Sequence, residues 1–212
     1  LRNAHLKAIR QIERGQSMSP VAFVIPRDQH DLLTVLKMVN NLVRQGIDVQ
    51  RTTTGFTHEG RIYKAGSFIV SMAQPKRGVI RWLLGRTFYP DNTYTRDRDG
   101  NPIRPYDMST DTMAEFMGVR VDPVKSVVET TVETVDALLA PEGTVAQGRF
   151  GYVLDGRLND SFKAANLLLA DNVNVRRVTT SDNGLRAGDF VVATSASDEV
   201  VAQIAQTTGG NF

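Results

Sequence analysis

The stretch that decides the fold is Val21-Ala22-Phe23-Val24-Ile25-Pro26, because a second stretch of the same kind, Phe150-Gly151-Tyr152-Val153-Leu154-Asp155, occurs later in the chain. Each is a short apolar run, which is typical of a buried strand. A polar turn and an amphipathic helical pattern follow in both cases. The chain therefore contains an internal repeat whose two copies begin with a strand and a helix.

The two copies remain similar to their ends. A β-branched run follows the helix in each, at residues 47–53 and 173–179, and each closes with the motif Ala-Gly-x-Phe-(Ile/Val)-Val, at residues 65–70 and 187–192. Three pairs of equivalent residues show how the spacing changes: 129 positions from Phe23 to Tyr152, 126 from Val49 to Val175, and 122 from Phe68 to Phe190. Small loop deletions in a duplicated unit produce this kind of slow decrease.

Strand-helix-strand units of this length predict right-handed crossovers and parallel strand pairing, with helices on both faces of the sheet. We therefore expect an α/β fold, a three-layer sandwich with a mostly parallel sheet, built from two similar β-α-β-β-α repeats. Residues 1–17 are predicted to form a helix that precedes the domain of residues 18–212. Within that domain, repeat one covers residues 21–88, a connecting segment residues 89–147, and repeat two residues 148–210.

Three local features are predicted inside and between the repeats. Residues 56–63 have the pattern of a β-hairpin that turns at Glu59-Gly60. Residues 112–117 are predicted to form a short helix. Residues 127–135 fit a strand by their Val and Thr content and a helix by the spacing of their valines, and we favour a strand.

The composition excludes several classes of protein. A formal net charge of +2 over 212 residues is too small to indicate a nucleic-acid partner. No apolar run approaches the length needed to span a membrane. The chain has no cysteine, which excludes disulfide bonds, thiolate metal sites and cysteine nucleophiles.

No catalytic set can be recognised from the residue types. The three histidines, His5, His30 and His58, are isolated from one another and are best explained as solvated surface residues. There is no G-x-S-x-G serine elbow and no glycine-rich loop that would cradle a phosphate. The acidic residues between Asp107 and Asp122 show no division into an acid and a base. The sequence therefore predicts no catalytic residue, no metal ligand and no cofactor in this chain.

Ligands of open α/β sheets bind beyond the carboxyl ends of the strands. Four polar side chains are predicted at these ends: Gln29, Gln74, Asp155 and Arg157. We regard them as candidate ligand-binding residues for a peptide or a small polar molecule. Lys76, Arg77 and Arg81 could also hold an anion, although a solvated helix face explains these cations better.

One stretch, Pro105-Tyr106-Asp107-Met108-Ser109-Thr110-Asp111-Thr112-Met113-Ala114-Glu115-Phe116-Met117-Gly118-Val119, resembles a segment that follows the catalytic domain in bacterial secreted zinc carboxypeptidase-like proteins, relatives of carboxypeptidase A. Other stretches agree with this resemblance: Ala22 to Pro26, Phe56 to Arg61, Tyr63 to Val70, Met72 to Pro75 and Gly151 to Asp155. In that family the region is similar to a class I glutamine amidotransferase-like α/β domain. Residues 1–17 would then be a linker helix from the upstream peptidase domain.

The resemblance implies a secreted or periplasmic zinc peptidase whose chemistry lies upstream of this chain. The family's zinc site uses a His-x-x-Glu pair, and none of the three histidines has a glutamate three residues later. An amidotransferase needs a cysteine nucleophile, and the chain has none. We therefore expect a non-catalytic C-terminal module that packs on the peptidase domain, its partner, or shapes access to it. The alternative is a module that binds a peptide or small molecule at the strand ends.

Overall fold

The structure is a computed structural model that describes residues 1–86, 90–104, 112–146, 150–193 and 197–212. The helices are α1 (Arg2–Ser17), α2 (Leu32–Arg44), α3 (Arg77–Leu84), α4 (Met113–Phe116), α5 (Asn159–Ala170) and α6 (Asp198–Thr208). The strands are β1 (Ala22–Ile25), β2 (Gln50–Thr52), β3 (Phe56–His58), β4 (Arg61–Tyr63), β5 (Phe68–Ser71), β6 (Asp122–Val124), β7 (Val132–Thr134), β8 (Gly151–Leu154), β9 (Val175–Arg177) and β10 (Phe190–Ala193). The chain divides into two compact units, unit 1 (Leu1–Leu138) and unit 2 (Leu139–Phe212).

The main sheet of unit 1 has five strands in the order β6-β1-β5-β2-β7, and each neighbouring pair is antiparallel. β1 and β2 run in the same direction, because β5 lies between them and is antiparallel to both. α2 connects β1 to β2, so the two strands and their helix form a split β-α-β unit. All four residues of β1 are buried, as are Phe68, Ile69 and Val70 of β5.

α2 begins and ends at residues that suit those positions. Its N-cap is Asp31, whose carboxylate accepts a hydrogen bond from the main-chain N–H of Thr34. Gly46 follows the helix with a φ of 66°, a left-handed conformation that glycine adopts without steric penalty. The apolar face of the helix is buried and contributes Val35, Met38, Val39 and Leu42 to the core.

A hairpin of strands β3 and β4 covers one face of the unit 1 sheet. It turns at Glu59-Gly60, which confirms the hairpin prediction. Tyr63 of the hairpin is buried in one apolar cluster with side chains from β1, β5 and β6: Ala22, Val24, Ile69 and Val124. Phe56 stacks on the Tyr63 ring with 4.9 Å between the ring centroids. The hairpin thus closes the sheet face that carries Val24.

Unit 2 contains a three-stranded sheet in the order β8-β10-β9, again with antiparallel neighbours. α5 and α6 contact each other and pack on the sheet face that carries Tyr152 and Leu154. The core of the unit consists of Tyr152, Leu154, Ala164, Leu168, Val192, Val201, Ile204, Ala205 and Phe212. On the opposite face of β8, the side chain of Val153 is 40% exposed.

The prediction of a three-layer sandwich with a mostly parallel sheet is wrong, because neighbouring strands of the sheets are antiparallel. The strand-helix-strand pattern indicates that the strands on either side of a helix share a direction. It does not indicate that a third strand enters between them, as β5 does in unit 1 and β10 in unit 2. The fold is a mixed α/β arrangement of small antiparallel sheets.

The repeated sequence corresponds to a repeated strand arrangement. β1, β5 and β2 take the same order in unit 1 as β8, β10 and β9 in unit 2. The cross-strand pair Ile25–Phe68 of unit 1 corresponds to the pair Leu154–Phe190 of unit 2, and Arg51–Phe68 corresponds to Arg177–Phe190. The offset from unit 1 to unit 2 is 129 positions for Ile25, 122 for Phe68 and 126 for Arg51, and these are the offsets that relate the two copies in the sequence. The two units therefore share one split β-α-β frame.

Most of the connecting segment belongs to unit 1, which ends at Leu138. Its strands β6 and β7 form the two edges of the unit 1 sheet. β7 covers only part of the strand predicted over residues 127–135. α4 begins after Thr112, whose side chain forms a capping box with Glu115. Residues 105–111, which contribute to the family resemblance, lie outside the described residues.

Candidate functional site

The candidate residue Gln29 is bonded to main-chain groups of unit 1. Its side-chain NH₂ donates to the carbonyl oxygens of Pro26 and Arg120 at 2.8 and 2.9 Å. Its side-chain oxygen accepts from the N–H of Arg120 at 2.7 Å. Gln29 thus satisfies both main-chain groups of Arg120, as a neighbouring strand would, and ties the loop after β1 to the segment before β6.

Gln74 forms the same kind of contact with another loop. Its buried side-chain oxygen accepts from the N–H of Asp48 at 2.8 Å, and its NH₂ donates to the carbonyl oxygens of Asp48 and Ser71 at 2.9 and 3.0 Å. The side chain therefore ties the loop after β5 to the segment before β2. Because these amide groups are engaged inside the fold, Gln74 has a structural role.

Gln29 and Gln74 lie near opposite ends of the sheet. Gln29 follows the carboxyl end of β1 and Gln74 that of β5, and these two strands are antiparallel neighbours. The expectation that strand ends gather candidate residues at one edge depends on parallel strands. The antiparallel pairing is the reason why the structure does not bring these two glutamines together.

Asp155 and Arg157 form an ion cluster at the carboxyl end of β8 in unit 2. The Arg157 guanidinium donates to both carboxylate oxygens of Asp155, at 3.0 and 2.8 Å. Arg186 Nη2 lies 3.0 Å from Asp155 Oδ2, the oxygen that Arg157 Nη2 also contacts. Hydrogen bonds from Arg157 and then from Arg186 hold the pKa of Asp155 well below its usual range. One ionised carboxylate therefore holds two half-exposed arginines together.

A second carboxylate, that of Asp189, is buried in the same cluster. It accepts from the N–H groups of Gly156 and Arg186, each at 3.0 Å, and lies 3.4 Å from the guanidinium of Arg186. Burial raises the pKa of Asp189, but the hydrogen bonds from Gly156 and Arg186 outweigh it and lower the pKa below its ordinary value. Asp189 thus fixes the loop after β8 and positions Arg186.

Asp189 occupies position x of the repeated motif Ala-Gly-x-Phe, and Ser67 occupies it in unit 1. Ser67 Oγ accepts from the N–H of Arg27 at 3.1 Å and donates to the carbonyl oxygen of Lys64 at 2.7 Å. Arg27 and Lys64 are the counterparts of Gly156 and Arg186 at the offsets given above. The side chain at position x therefore bonds to the same two loops in both units.

The glycine before position x has a backbone conformation that requires glycine. Its φ is 84° at Gly66 and 98° at Gly188, in the region that side chains disfavour. Its N–H donates at 2.7 Å to the carbonyl oxygen of Thr52 in unit 1 and of Val178 in unit 2. The motif thus has a structural function, to turn the chain into β5 or β10.

The tip of the β3–β4 hairpin brings a serine, a histidine and a glutamate together. Ser126 Oγ lies 3.3 Å from His58 Nε2, and Glu59 Oε1 lies 3.6 Å from the same nitrogen. A Ser-His-acid triad needs the acid on the other ring nitrogen, so this arrangement cannot act as one. Glu59 instead accepts from the N–H groups of Lys125 and Ser126 at 2.6 and 3.1 Å.

The hydrogen bonds at the hairpin tip have two consequences. The bond from the N–H of Lys125 is the main cause that lowers the pKa of Glu59. The His58 side chain is largely covered, with 12% of its surface exposed, so the expectation of a solvated histidine is wrong at this position. The tip is therefore a docking contact between the hairpin and the end of β6.

A buried carboxylate fixes the base of the same hairpin. Asp122 accepts from Arg61 at 2.8 Å, from the hydroxyl of Tyr63 at 3.2 Å and from Arg120 at 3.3 Å. Burial, followed by the charge of Asp122, raises the pKa of Tyr63. The charge of Asp122 raises the pKa of Arg61. These contacts hold the hairpin against β6.

Within the ranges that the structure describes, no three His, Asp or Glu side chains form a group that could hold a metal ion. The zinc ion that the family resemblance implies is expected in the upstream peptidase domain. No chemical step is therefore assigned to zinc in this chain.

Arg186, Asp189 and Ser126 are among the residues of these clusters that sequence reasoning missed. The sequence does contain an indication of a role for Asp189, because this residue stands at position x of the repeated motif. No sequence pattern indicates a role for Arg186 or Ser126, because their partners are distant along the chain: Arg186 contacts Asp155, and Ser126 contacts the hairpin tip.

Comparisons of the chain with protein families, with curated proteins and with solved structures find no match.

Proposed function

We propose that this chain is a non-catalytic module of a zinc carboxypeptidase-like protein, and that it packs on the upstream peptidase domain or shapes access to it. The main support for this proposal is that the polar side chains at the strand ends bond to other groups of the chain. Gln29 and Gln74 bond to main-chain groups, and Asp155 bonds to two arginines. Such contacts make loops rigid, which suits a module that supports a neighbour.

The arrangement of the nucleophilic and basic side chains also supports a non-catalytic role. Among the described residues, the serine closest to the chemistry of a hydrolase is Ser126, and its histidine partner lacks an acid on the second ring nitrogen. The family resemblance supplies the peptidase part of the proposal. It also supplies the secreted or periplasmic location.

The proposal is tested by assaying two purified proteins, this chain and a longer polypeptide that carries the upstream domain. Both are supplied with zinc and given peptides with a free or an amidated C-terminus. We expect hydrolysis only by the longer protein, and only of the peptide with a free C-terminus. Zinc-dependent hydrolysis by this chain alone would overturn the proposal.

The supporting role is tested in the longer protein with Gln74→Ala. This change removes the part-buried hydrogen bonds of Gln74 to the main chain of Asp48 and Ser71, each of which contributes about 1 kcal/mol. We expect peptidase activity to decay faster on heating, whereas the exposed Gln206→Ala serves as a matched control. An unchanged decay rate in Gln74→Ala would show that the module does not support the peptidase.

A second candidate function, binding of a small carboxylate or a peptide C-terminus, is favoured by the arginine pair of unit 2. Arg157 and Arg186 are half exposed and contact the same oxygen of Asp155, so their guanidinium groups are held close together. Guanidinium groups match the geometry of carboxylates. The test is a binding titration with an N-acetylated dipeptide whose C-terminus is either free or amidated. The titrated proteins are the wild type, Arg186→Gln and the control Arg176→Gln. Equal affinity of the wild type for the two dipeptides would exclude this function.

A further inference from the structure

Positive charge is concentrated on two helices of unit 1. Residues 1–17 and 76–86 contain eight Lys or Arg residues and one acidic residue, Glu13, whereas the whole chain has a net charge of only +2. The two segments form α1 and α3, which contact each other. We call the exposed residues of α1 and α3, together with Lys76 and Arg86, the α1–α3 surface.

Among the described residues, these cations differ from the other charged clusters in having no paired counter-charge. In the part of the chain that the structure describes, none of the eight forms an ion pair. By contrast, Arg61 and Arg120 share Asp122, and Arg157 and Arg186 share Asp155. The α1–α3 surface therefore has a positive potential that the fold itself does not neutralise.

Arg77 adds a buried charge to this potential. The residue is 8% exposed, and its Nε lacks a hydrogen-bond partner among the described residues. Its Nη2 contacts the sulfur of Met18 at 3.9 Å, which is a weak acceptor. Among the described residues no carboxylate pairs with this buried guanidinium, and a buried charge without a partner is costly, so an external anion near this surface would be attracted strongly.

The exposed side of α3 also presents an aromatic side chain. Trp82 is 80% exposed and lies on the helix side opposite the buried residues Ile80 and Leu84. Val79, one helical turn before Trp82, is also exposed, and the exposed Arg86 follows the end of the helix. α1 adds two further exposed apolar residues, Leu6 and Ile9, between its cations. An exposed tryptophan flanked by apolar residues and cations is typical of helices that lie in a membrane interface.

We propose that the α1–α3 surface binds the headgroup region of an anionic lipid bilayer. Anionic lipids supply the missing counter-charge, and the interface accommodates Trp82 with its ring among the headgroups. An acidic protein partner would satisfy the charges, but a protruding tryptophan needs a pocket on such a partner. The proposed attachment is peripheral. Every helix in the described ranges is too short or too polar to span a membrane. This inference does not depend on the proposed function.

Trp82 makes the test direct, because it is the only tryptophan in the chain. The chain is mixed with vesicles of phosphatidylcholine alone or with phosphatidylglycerol added, at low and high salt. We expect sedimentation with the anionic vesicles at low salt, together with a blue shift of Trp82 emission. Pure phosphatidylcholine vesicles and high salt should each weaken both signals, since exposed charges are screened.

Charge variants locate the binding surface. Arg81→Glu/Arg86→Glu should lower partitioning into anionic vesicles at least about 25-fold, since each cation near an anionic surface contributes about fivefold. Arg176→Glu, an exposed arginine of unit 2, is the matched control and should have a far smaller effect. Circular dichroism checks that each variant is folded, and a second variant, Lys7→Glu/Arg10→Glu, replaces the first if it is not.

Three results would overturn the proposal. One is the absence of sedimentation with anionic vesicles at low salt. Another is binding without a change in Trp82 emission. The third is a Trp82 shift with soluble polyglutamate but not with vesicles, which would assign the surface to an acidic protein partner.

Discussion

Val24 in unit 1 and Val153 in unit 2 occupy equivalent positions on the first strand of the shared frame, yet their surroundings differ. Val24 is fully buried, whereas Val153 is 40% exposed. The β3–β4 hairpin accounts for this difference, because Tyr63 packs against the sheet face that carries Val24. In unit 2 the chain between β9 and β10, residues 178–189, turns at Asn183-Gly184, and a single antiparallel bridge between Asp182 and Leu185 takes the place of the β3–β4 pair.

The same split β-α-β frame is completed differently in the two units. The two strands that share a direction are linked by α2 in unit 1 and by α5 in unit 2, and a third strand enters between them in each unit. In unit 1 an insertion in the loop before that third strand closes the second face. The insertion also adds the hydrogen bonds at Glu59 and Asp122 that hold it on β6. A small loop change therefore decides whether a sheet face becomes core or surface.

A second difference lies at position x of the repeated motif. Ser67 uses a neutral hydroxyl to bond to the two loops, and Asp189 uses a carboxylate at the equivalent place. The carboxylate also attracts the guanidinium of Arg186, which in turn contacts Asp155. Unit 2 thus has a cluster of two carboxylates and two arginines, whereas in unit 1 the Ser67 hydroxyl is accompanied only by the exposed ion pair of Lys64 and Asp28.

The largest expected effect on the free energy of unfolding comes from the β3–β4 hairpin, the feature by which unit 1 differs from unit 2. Tyr63→Ala removes a buried aromatic ring and should lower the free energy of unfolding by about 3–5 kcal/mol in urea titrations. Ile62→Ala, on the neighbouring exposed residue of β4, should change it by less than about 0.5 kcal/mol. A loss below about 1 kcal/mol for Tyr63→Ala would mean that the hairpin does not close the core.

An intermediate effect is expected at position x. Asp189→Ser copies the unit 1 residue and keeps a hydroxyl for the main-chain groups, but it removes the charge near Arg186. We expect a loss of about 1–3 kcal/mol in the free energy of unfolding at pH 7. Ser67→Ala should cost less, about 1 kcal/mol, because it involves no charge.

The same variant tests a pH dependence. The pKa values of Asp155 and Asp189 are lowered in the folded state, so their contribution to stability is complete above the unfolded value of about 4. It is lost as the pH falls through the folded values. Urea titrations at pH 7, 5 and 3 should show a shallower acid loss in Asp189→Ser than in the wild type. Glu142→Gln, at an exposed position of unit 2, is the control; an identical acid loss in Asp189→Ser and the wild type would contradict the prediction.

The smallest effect is the difference between two equivalent valines. Val24→Ala removes buried methyl groups and should cost about 2 kcal/mol, whereas Val153→Ala should cost less than about 1 kcal/mol. Both are measured by urea unfolding at neutral pH. Equal losses would show that Val153 is covered in solution and that the second face of the unit 2 sheet is closed by other means.

Much of the local structure could be predicted from the sequence, and the candidate site could not. The turn at Glu59-Gly60 depends on residues next to each other, and it was predicted correctly. The ligand site was placed by a rule for parallel strands, and because β5 is antiparallel to β1, Gln29 and Gln74 lie near opposite ends of the sheet. Gln29 and Gln74 were selected because they follow strands, but their partners are main-chain groups 91 and 26 residues away.

The sequence by itself determined the internal repeat, its three offsets and the order of strand and helix within each copy. These properties depend on periodicity and on residues close together in the chain. Only the tertiary structure decided which strand lies between β1 and β2, which sheet face is closed, and which arginines share Asp155. Those outcomes depend on contacts between residues far apart in the chain, and local patterns carry no information about which distant partner will be adjacent.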